Sequence, residues 1–267
     1  MPPDAPADAP PDVFPGVLDA WGPVTVMGPL GGGNRNTVLE IRRGTERLVA
    51  RSSARSPASL DWEVGLLDHL AHVGLRVPAV IPARDGRRHV DGVVVLSWLA
   101  GRPPGPGDWP AVAAFLRRLH GVTAGWPQRP GFASTRELIT VDRGGDADLS
   151  TMPPDAVSAC RAAWRRLAGT PQAVVHGDPG PANIRMSSAG AGLVDWDEAR
   201  VDYTDLDLAD LPEGDSPARY LPPVRLAAAR SAVRAWEAAS GWRAEPSYAR
   251  RQLAVLRDGS AAQPPVG

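Results

Sequence analysis

Three oxygen-bearing side chains in the second half of this 267-residue chain stand at a spacing that can do chemistry. Asp178 lies in the run His176-Gly177-Asp178-Pro179-Gly180-Pro181-Ala182-Asn183. Asn183 follows it by five residues, and Asp195, in Val194-Asp195-Trp196-Asp197, by twelve more. A carboxylate can orient a hydroxyl and take its proton. An amide oxygen and a second carboxylate are hard donors that suit Mg²⁺. Together they are what phosphoryl transfer asks of a protein: one group on the acceptor, two on a divalent ion held against phosphate oxygens. Asp178 is therefore the catalytic candidate, and Asn183 and Asp195 are the metal candidates. Alone, Asp178 would read as an Asx-turn before Pro179; the offsets of the other two favour chemistry. His176 reads as a loop-ordering hydrogen-bond partner rather than a base. Asp197 stays open between a water-mediated metal contact and a cap on the next turn.

Such residues need short elements to carry them. Ala173-Val174-Val175 and Gly192-Leu193-Val194 read as apolar strands that leave the chemistry at their ends. In the first half, Val24–Met27 and Thr37–Ile41 read as strands flanking the Gly-rich turn Gly31-Gly32-Gly33-Asn34-Arg35-Asn36. Arg47–Arg51 and Gly92–Leu96 read as two more. A helix runs from about Ser59 to His72, with Leu60, Leu67 and Leu70 near one face. From Asp108 onward helical spacing dominates, as in Trp109, Val112, Phe115/Leu116, Leu119 and in Leu226, Ala229, Val233, Trp236. Ala100–Gly107 is too rich in Pro and Gly for either element. The expected organisation is a tail over 1–12, a β-rich lobe over 13–99, a mainly helical lobe over 100–260 and a tail over 261–267.

Composition narrows the partners. A net charge of −1 offers no long-range attraction to nucleic acid or an anionic membrane. No apolar run is long enough to span a bilayer, and Met1–Asp12, built almost wholly of Pro, Ala and Asp, lacks the features of a signal peptide. A cytoplasmic location is the expectation. The single cysteine, Cys160, shares a helical stripe with Val157, Trp164 and Leu167, which predicts a buried structural thiol. All 29 basic residues are Arg.

The order Asp, Asn, Asp follows the kinase pattern of catalytic-loop and metal-binding residues. Val174 through Asn183, with Val194-Asp195-Trp196-Asp197, resembles the aminoglycoside phosphotransferase and choline-kinase-like superfamily, which carries H-G-D-x-x-x-x-N followed by D-W-[DE]. The resemblance covers roughly residues 24 to 240 in the order of elements and is specific only in that motif. It implies an α+β, two-lobed, protein-kinase-like fold: a small antiparallel-sheet lobe, a mainly helical lobe, and ATP or GTP with Mg²⁺ in the cleft between them. It implies that backbone around Gly31, Gly32, Gly33 and Asn34 covers the phosphates, and that Ser97 and Leu99 hold adenine beside Val49. Where protein kinases carry a strand Lys, this chain has Arg51; Glu63, twelve residues on and on the inward helix face, is its expected partner. Asp207, in Asp205-Leu206-Asp207-Leu208-Ala209, resembles the family Asp that supports the catalytic loop; helix capping by Asp205 is the plainer alternative.

The resemblance further implies a small-molecule hydroxyl as acceptor. Six acidic residues and no basic one lie between Val201 and Pro217. Asp202, Asp210 and Glu213 are the candidates to face a cationic acceptor such as an aminoglycoside, against the alternative of structural or solvated acids. A nucleotide-binding regulator without transfer activity stays open as a second class, although three intact oxygen donors argue against it. Oligomeric state is not legible.

Overall fold

The computed structural model describes residues 14, 16–31, 36–209, 211 and 220–261. It divides into two compact units, Met1–Ala100 and Gly101–Gly267.

In the first unit, β1 (Thr25–Pro29), β2 (Thr37–Arg43), β3 (Glu46–Ser52) and β4 (Val93–Ser97) pair antiparallel in that order. The strand alternation sends Leu39 and Ile41, Leu48 and Ala50, Val93 and Val95 to one face, where they pack with Phe14, Leu18 and Trp21. Arg51 lies out of phase with that set, opposite Val94 in the register. Helix α1 (Pro57–His72) starts after Ser56, whose hydroxyl accepts the Ser59 N–H at 3.3 Å, with Pro57 in the first turn. Leu60, Glu63, Leu67 and Leu70 recur every three or four residues and are all buried. A carboxylate on that stripe must find a partner inside the unit.

The second unit opens with α2 (Trp109–Val122), whose buried stripe is the one its spacing predicts. A two-residue ladder, β5 (Arg143–Gly144) with β6 (Ala147–Asp148), precedes α3 (Pro154–Arg165). Next come β7 (Gln172–Val175), β8 (Ile184–Ser187), β9 (Gly190–Leu193) and β10 (Arg200–Tyr203), paired β7 with β10 and β8 with β9. Helices α4 (Asp205–Ala209), α5 (Pro223–Gly241) and α6 (Pro246–Ala261) complete it. Alanines crowd the buried face of α5 (Ala228, Ala229, Ala232, Ala235, Ala238 and Ala239), so α3 and α6 pack closely on it. Trp164 on α3 donates its indole N–H to the Ala232 carbonyl at 3.2 Å. Cys160 sits on the same buried stripe, and burial pushes its thiol up to about 12. No helix among the described residues is long and apolar enough to cross a membrane.

Candidate active site

Strand β7 is fully apolar from Ala173 to Val175 and delivers the chain into a loop whose backbone is pinned from below. Asp207, at the start of α4, accepts the His176 N–H on Oδ2 at 2.9 Å and the Gly177 N–H on Oδ1 at 3.0 Å. His120 of α2 reaches the same Oδ2 through Nε2 at 3.0 Å. Burial alone would push the Asp207 carboxyl up, but the bonds from His120 and Gly177 hold it below its ordinary range. Asp207 thus supports the loop by backbone hydrogen bonds, and His120 is the partner that sequence reasoning missed. Its one signal was a place on the apolar α2 stripe, four residues after Leu116. Gly177 has φ 91°, and a Cβ there would lie 2.9 Å from the Glu198 carbonyl oxygen, so both conformation and space call for glycine.

Both nitrogens of the His176 ring have structural partners. Nε2 donates to the Val194 carbonyl at 2.9 Å, and Nδ1 faces the Asp178 N–H at 3.4 Å. The ring meets Trp196 edge-on with centroids 4.7 Å apart. His176 therefore ties the two halves of the motif together.

Asp178 and Asn183 come together at the surface of this unit. Asn183 donates Nδ2–H to Asp178 Oδ2 at 2.9 Å and to the Asp178 carbonyl at 3.0 Å. The turn Pro181–Asn183 returns the chain to β8, and the β8–β9 ladder pairs Ile184 with Leu193. One step further out, the Val194 N–H donates to the Asn183 carbonyl at 2.9 Å. The hairpin therefore places Asp195 one residue beyond a direct backbone bond to Asn183. Asp195 is exposed and left-handed, with φ 62°. With Nδ2 engaged by Asp178, the Asn183 amide oxygen occupies the other branch of the planar group. Among the described residues no three His, Cys, Asp or Glu side chains converge as a metal cage. Two hard oxygen donors at a hairpin end fit Mg²⁺, which is usually bound by one or two protein groups together with substrate phosphates.

Other expected site residues fall elsewhere. Asp197 is 5% exposed, against the open Asp195 two residues before it. Asp202 does not fit the acceptor role: it is fully buried, and its carboxylate accepts from the Thr135 N–H at 3.0 Å, Thr135 Oγ1 at 2.6 Å and Arg200 Nε at 3.0 Å. A carboxylate so engaged braces β10 and has no face left for a ligand. Asp205 is likewise spent, bound by Arg225 through Nε at 2.9 Å and Nη2 at 2.5 Å. Asp210 and Glu213 lie outside the described residues, as do Gly32, Gly33 and Asn34; Gly31 closes the described part of the chain before that turn.

In the first unit, Arg51 Nη2 meets Glu63 Oε1 at 2.6 Å, with the two side chains only 4% and 2% exposed. Val49, two residues before, and Leu99 are half-buried. Ser97 ends β4 with its hydroxyl accepting the Ala79 N–H at 2.9 Å and its own N–H on the Ala79 carbonyl at 2.8 Å. The hydroxyl, rather than the Ser97 carbonyl, therefore takes the Ala79 donor.

A sequence profile described as the phosphotransferase enzyme family matches residues 27–244, and the chain belongs to that family. Homoserine kinase of Gluconacetobacter diazotrophicus is 28% identical over 209 residues, covering 66% of this chain and 60% of that protein. Homoserine kinase of Acidiphilium cryptum is 29% identical over 201 residues, with the same coverage. The chain thus spans about 60% of the length of these relatives. Among solved structures, a microcompartment-associated aminopropanol kinase superposes with a TM-score of 0.66 at 18% identity, over 92% of this chain and 94% of that one. Choline kinase LicA from Streptococcus pneumoniae gives 0.68 at 16% identity, over 92% and 96%. An aminoglycoside phosphotransferase in ternary complex with AMP-PNP and hygromycin B gives 0.64 at 16% identity, over 92% and 98%. At these identities the likeness is one of fold, and the fold is that of the protein-kinase-like small-molecule kinases.

Proposed function

We propose that this protein moves the γ-phosphate of ATP to a hydroxyl of a small molecule, with Mg²⁺ as cofactor. The observation that carries this reading is the Asn183–Asp178 side-chain bond of 2.9 Å, on a hairpin end that also presents Asp195. In this reading the Asp178 carboxylate orients the acceptor hydroxyl and takes its proton as the phosphoryl group departs. The Asn183 amide oxygen and the Asp195 carboxylate hold Mg²⁺; when bound, the ion supplies charge neutralisation on the phosphate oxygens. Arg51, paired with Glu63, is the cation for the nucleotide phosphates, a role in which Arg can share its charge between two anions. The turn from Gly31 to Asn34 covers the phosphates with backbone N–H groups, and the Ser97–Leu99 backbone with Val49 receives the base. Residues 13–99 serve the nucleotide and 100–260 the acceptor and the transfer.

For the acceptor we favour an amine-bearing alcohol. The support is the match to proteins named homoserine kinase, together with an acidic stretch in which Asp210 and Glu213 remain as candidates to face an ammonium group. Incubating the full chain with Mg-ATP and homoserine, choline, aminopropanol, hygromycin B or glycerol, and following ADP release and phosphoester formation, tests the proposal. We expect acceptor-dependent turnover on an amine-bearing alcohol. Asp178→Ala should cut kcat by roughly 10² to 10⁴, the range for loss of a general base, and leave nucleotide affinity nearly intact. Turnover on glycerol alone would remove the amine preference. No transfer to any hydroxyl, or an Asp178→Ala protein working at the parental rate, would remove the mechanism.

A further inference from the structure

The turn that follows Asp195 directs its carbonyls onto two buried guanidinium groups. Arg129, 1% exposed, donates through Nη1 to the carbonyl oxygens of Trp196 at 3.2 Å, Asp197 at 2.9 Å and Ala199 at 3.2 Å. Arg200, 2% exposed, donates through Nη1 to the carbonyl of Glu198 at 3.3 Å. Four successive carbonyls, 196 through 199, are thus held by guanidinium N–H groups. Each arginine is itself fixed. Arg129 lies over the Phe132 ring at 4.7 Å, and Arg200 over Trp236 at 3.4 Å with its Nε on Asp202. Hydrogen bonds from a charged donor are stronger than neutral ones, and the two hydrogens of Arg129 Nη1, one of them shared, clamp three carbonyls at once.

What the clamp fixes is the backbone leaving Asp195. That residue sits at φ 62°, a left-handed conformation that Asp adopts more readily than most L-residues and that turns the chain sharply there. Its direction is set before it by the Val194 N–H on the Asn183 carbonyl and the Val194 carbonyl on His176. After it, the Trp196 indole N–H donates to the Leu193 carbonyl at 3.2 Å, the Trp196 carbonyl accepts the Ala199 N–H at 3.1 Å as well as Arg129, and Arg129 reaches on to the Asp197 carbonyl at 2.9 Å. We propose that Arg129 is a positioning residue for the metal-holding carboxylate: it acts through the 196–199 turn to aim Asp195. This rests on the reading of Asp195 as a Mg²⁺ ligand and says which residue of the chain sets that ligand's geometry. Partners behind a metal ligand typically control about 10- to 100-fold in metal affinity.

The test compares Arg129→Gln and Arg129→Lys with Arg161→Met, all in the full chain. Arg161 is a half-buried arginine of the same unit that donates to the Leu138 carbonyl at 3.1 Å and touches no residue of the turn. Mn²⁺ binding in the presence of AMP-PNP is measured by paramagnetic resonance, beside the Mg²⁺ half-saturation of turnover and the melting temperature. Arg129→Gln should weaken Mn²⁺ binding and raise the Mg²⁺ half-saturation by about tenfold or more. AMP-PNP binding without metal and the acceptor KM should move less than about twofold, and Arg129→Lys should fall between parent and Gln. Arg161→Met should lower the melting temperature without moving the metal terms. If Arg129→Gln behaves like Arg161→Met, the residue is merely structural and the inference fails. If the Gln variant does not fold, the Lys variant decides in the same way. A parent that binds Mn²⁺ but transfers no phosphate, with the variant weakening that binding, would sink the proposed function and uphold the clamp.

Discussion

In the β-rich unit the buried charges among the described residues are Arg51 and Glu63, which meet at 2.6 Å, one ion answering another. In the helical unit Asp207 answers a histidine and two backbone N–H groups, Arg129 answers three carbonyls, and Asp202 answers a threonine and an arginine. Buried ion pairs of the first kind can often be exchanged for apolar side chains of the same volume at little cost to the fold. The second is a mesh in which each buried charge shapes a loop, so removing one member leaves several polar groups without partners. The groups assigned to chemistry follow the same division: Arg51 is buried, whereas Asp178 and Asp195 are exposed and owe their placement to the buried mesh behind them. Perturbing one network and then the other should therefore give different kinds of damage.

The largest effect should come from Asp207→Ala. It strands the His176 and Gly177 N–H groups and His120 in a fully buried site, and breaking such a set costs about 3 to 5 kcal/mol. Urea unfolding should show that loss, and any folded fraction should transfer phosphate at well under a tenth of the parental rate because the Asp178 loop is no longer held. The pH dependence has a definite sign. Asp207 titrates below its ordinary range in the folded protein, so its contribution is complete above the unfolded-state value near 3.9 and is lost as pH falls through the lower, folded value. Stability of the parent should drop on acidification in that window, and the Asp207→Asn variant should show a shallower drop. Equal slopes would mean the carboxylate is not the anchor.

Next comes Arg51. Arg51→Ala leaves Glu63 buried without its arginine, for a loss of about 3 kcal/mol or somewhat less if the acid takes up a proton. The sharper variant replaces both at once. Arg51→Met with Glu63→Leu should keep stability within about 2 kcal/mol of the parent, since an apolar pair often substitutes for a buried ion pair. It should nevertheless lose ATP-dependent turnover. If the double variant unfolds as readily as Arg51→Ala, this pair is woven into its unit as tightly as Asp207 is, and the contrast between the units disappears.

What could be read in advance follows the same line between pair and mesh. The Arg51–Glu63 contact is legible because helix spacing turns Glu63 inward, where a carboxylate needs a partner, and the likeness to kinases puts the matching cation at position 51. The Asp178–Asn183 bond is legible because both residues lie in one motif. Asp207 as loop support rested on the family likeness, but its partner His120 is 87 residues away and no local pattern links them. Arg129 stands between Gln128 and Pro130 in a loop with no periodicity, and nothing in its neighbourhood announces three carbonyls as its ligands. Asp202 was misread for a related reason. A run of acids looks like a charged surface until β10 forms and sends alternate side chains inward, which is a property of the pairing with β7 and not of the run.

Ser56→Ala is the smallest perturbation and separates stability from function within the first unit. The Ser56 hydroxyl accepts the Ser59 N–H at 3.3 Å, a long cap, and losing it should cost about 1 kcal/mol or less. Helix α1 carries Glu63 two turns further in, where burial among Leu60, Leu66 and Leu67 rather than the cap fixes its position. Frayed ends reach little beyond the first turn of a helix, so the Arg51–Glu63 contact should survive. The melting temperature should fall by a few degrees while the KM for ATP stays within about twofold of the parent. A clear rise in that KM would mean that the position of Glu63 depends on the helix start, and that the pair in this unit is as conditional on its backbone as the mesh in the other.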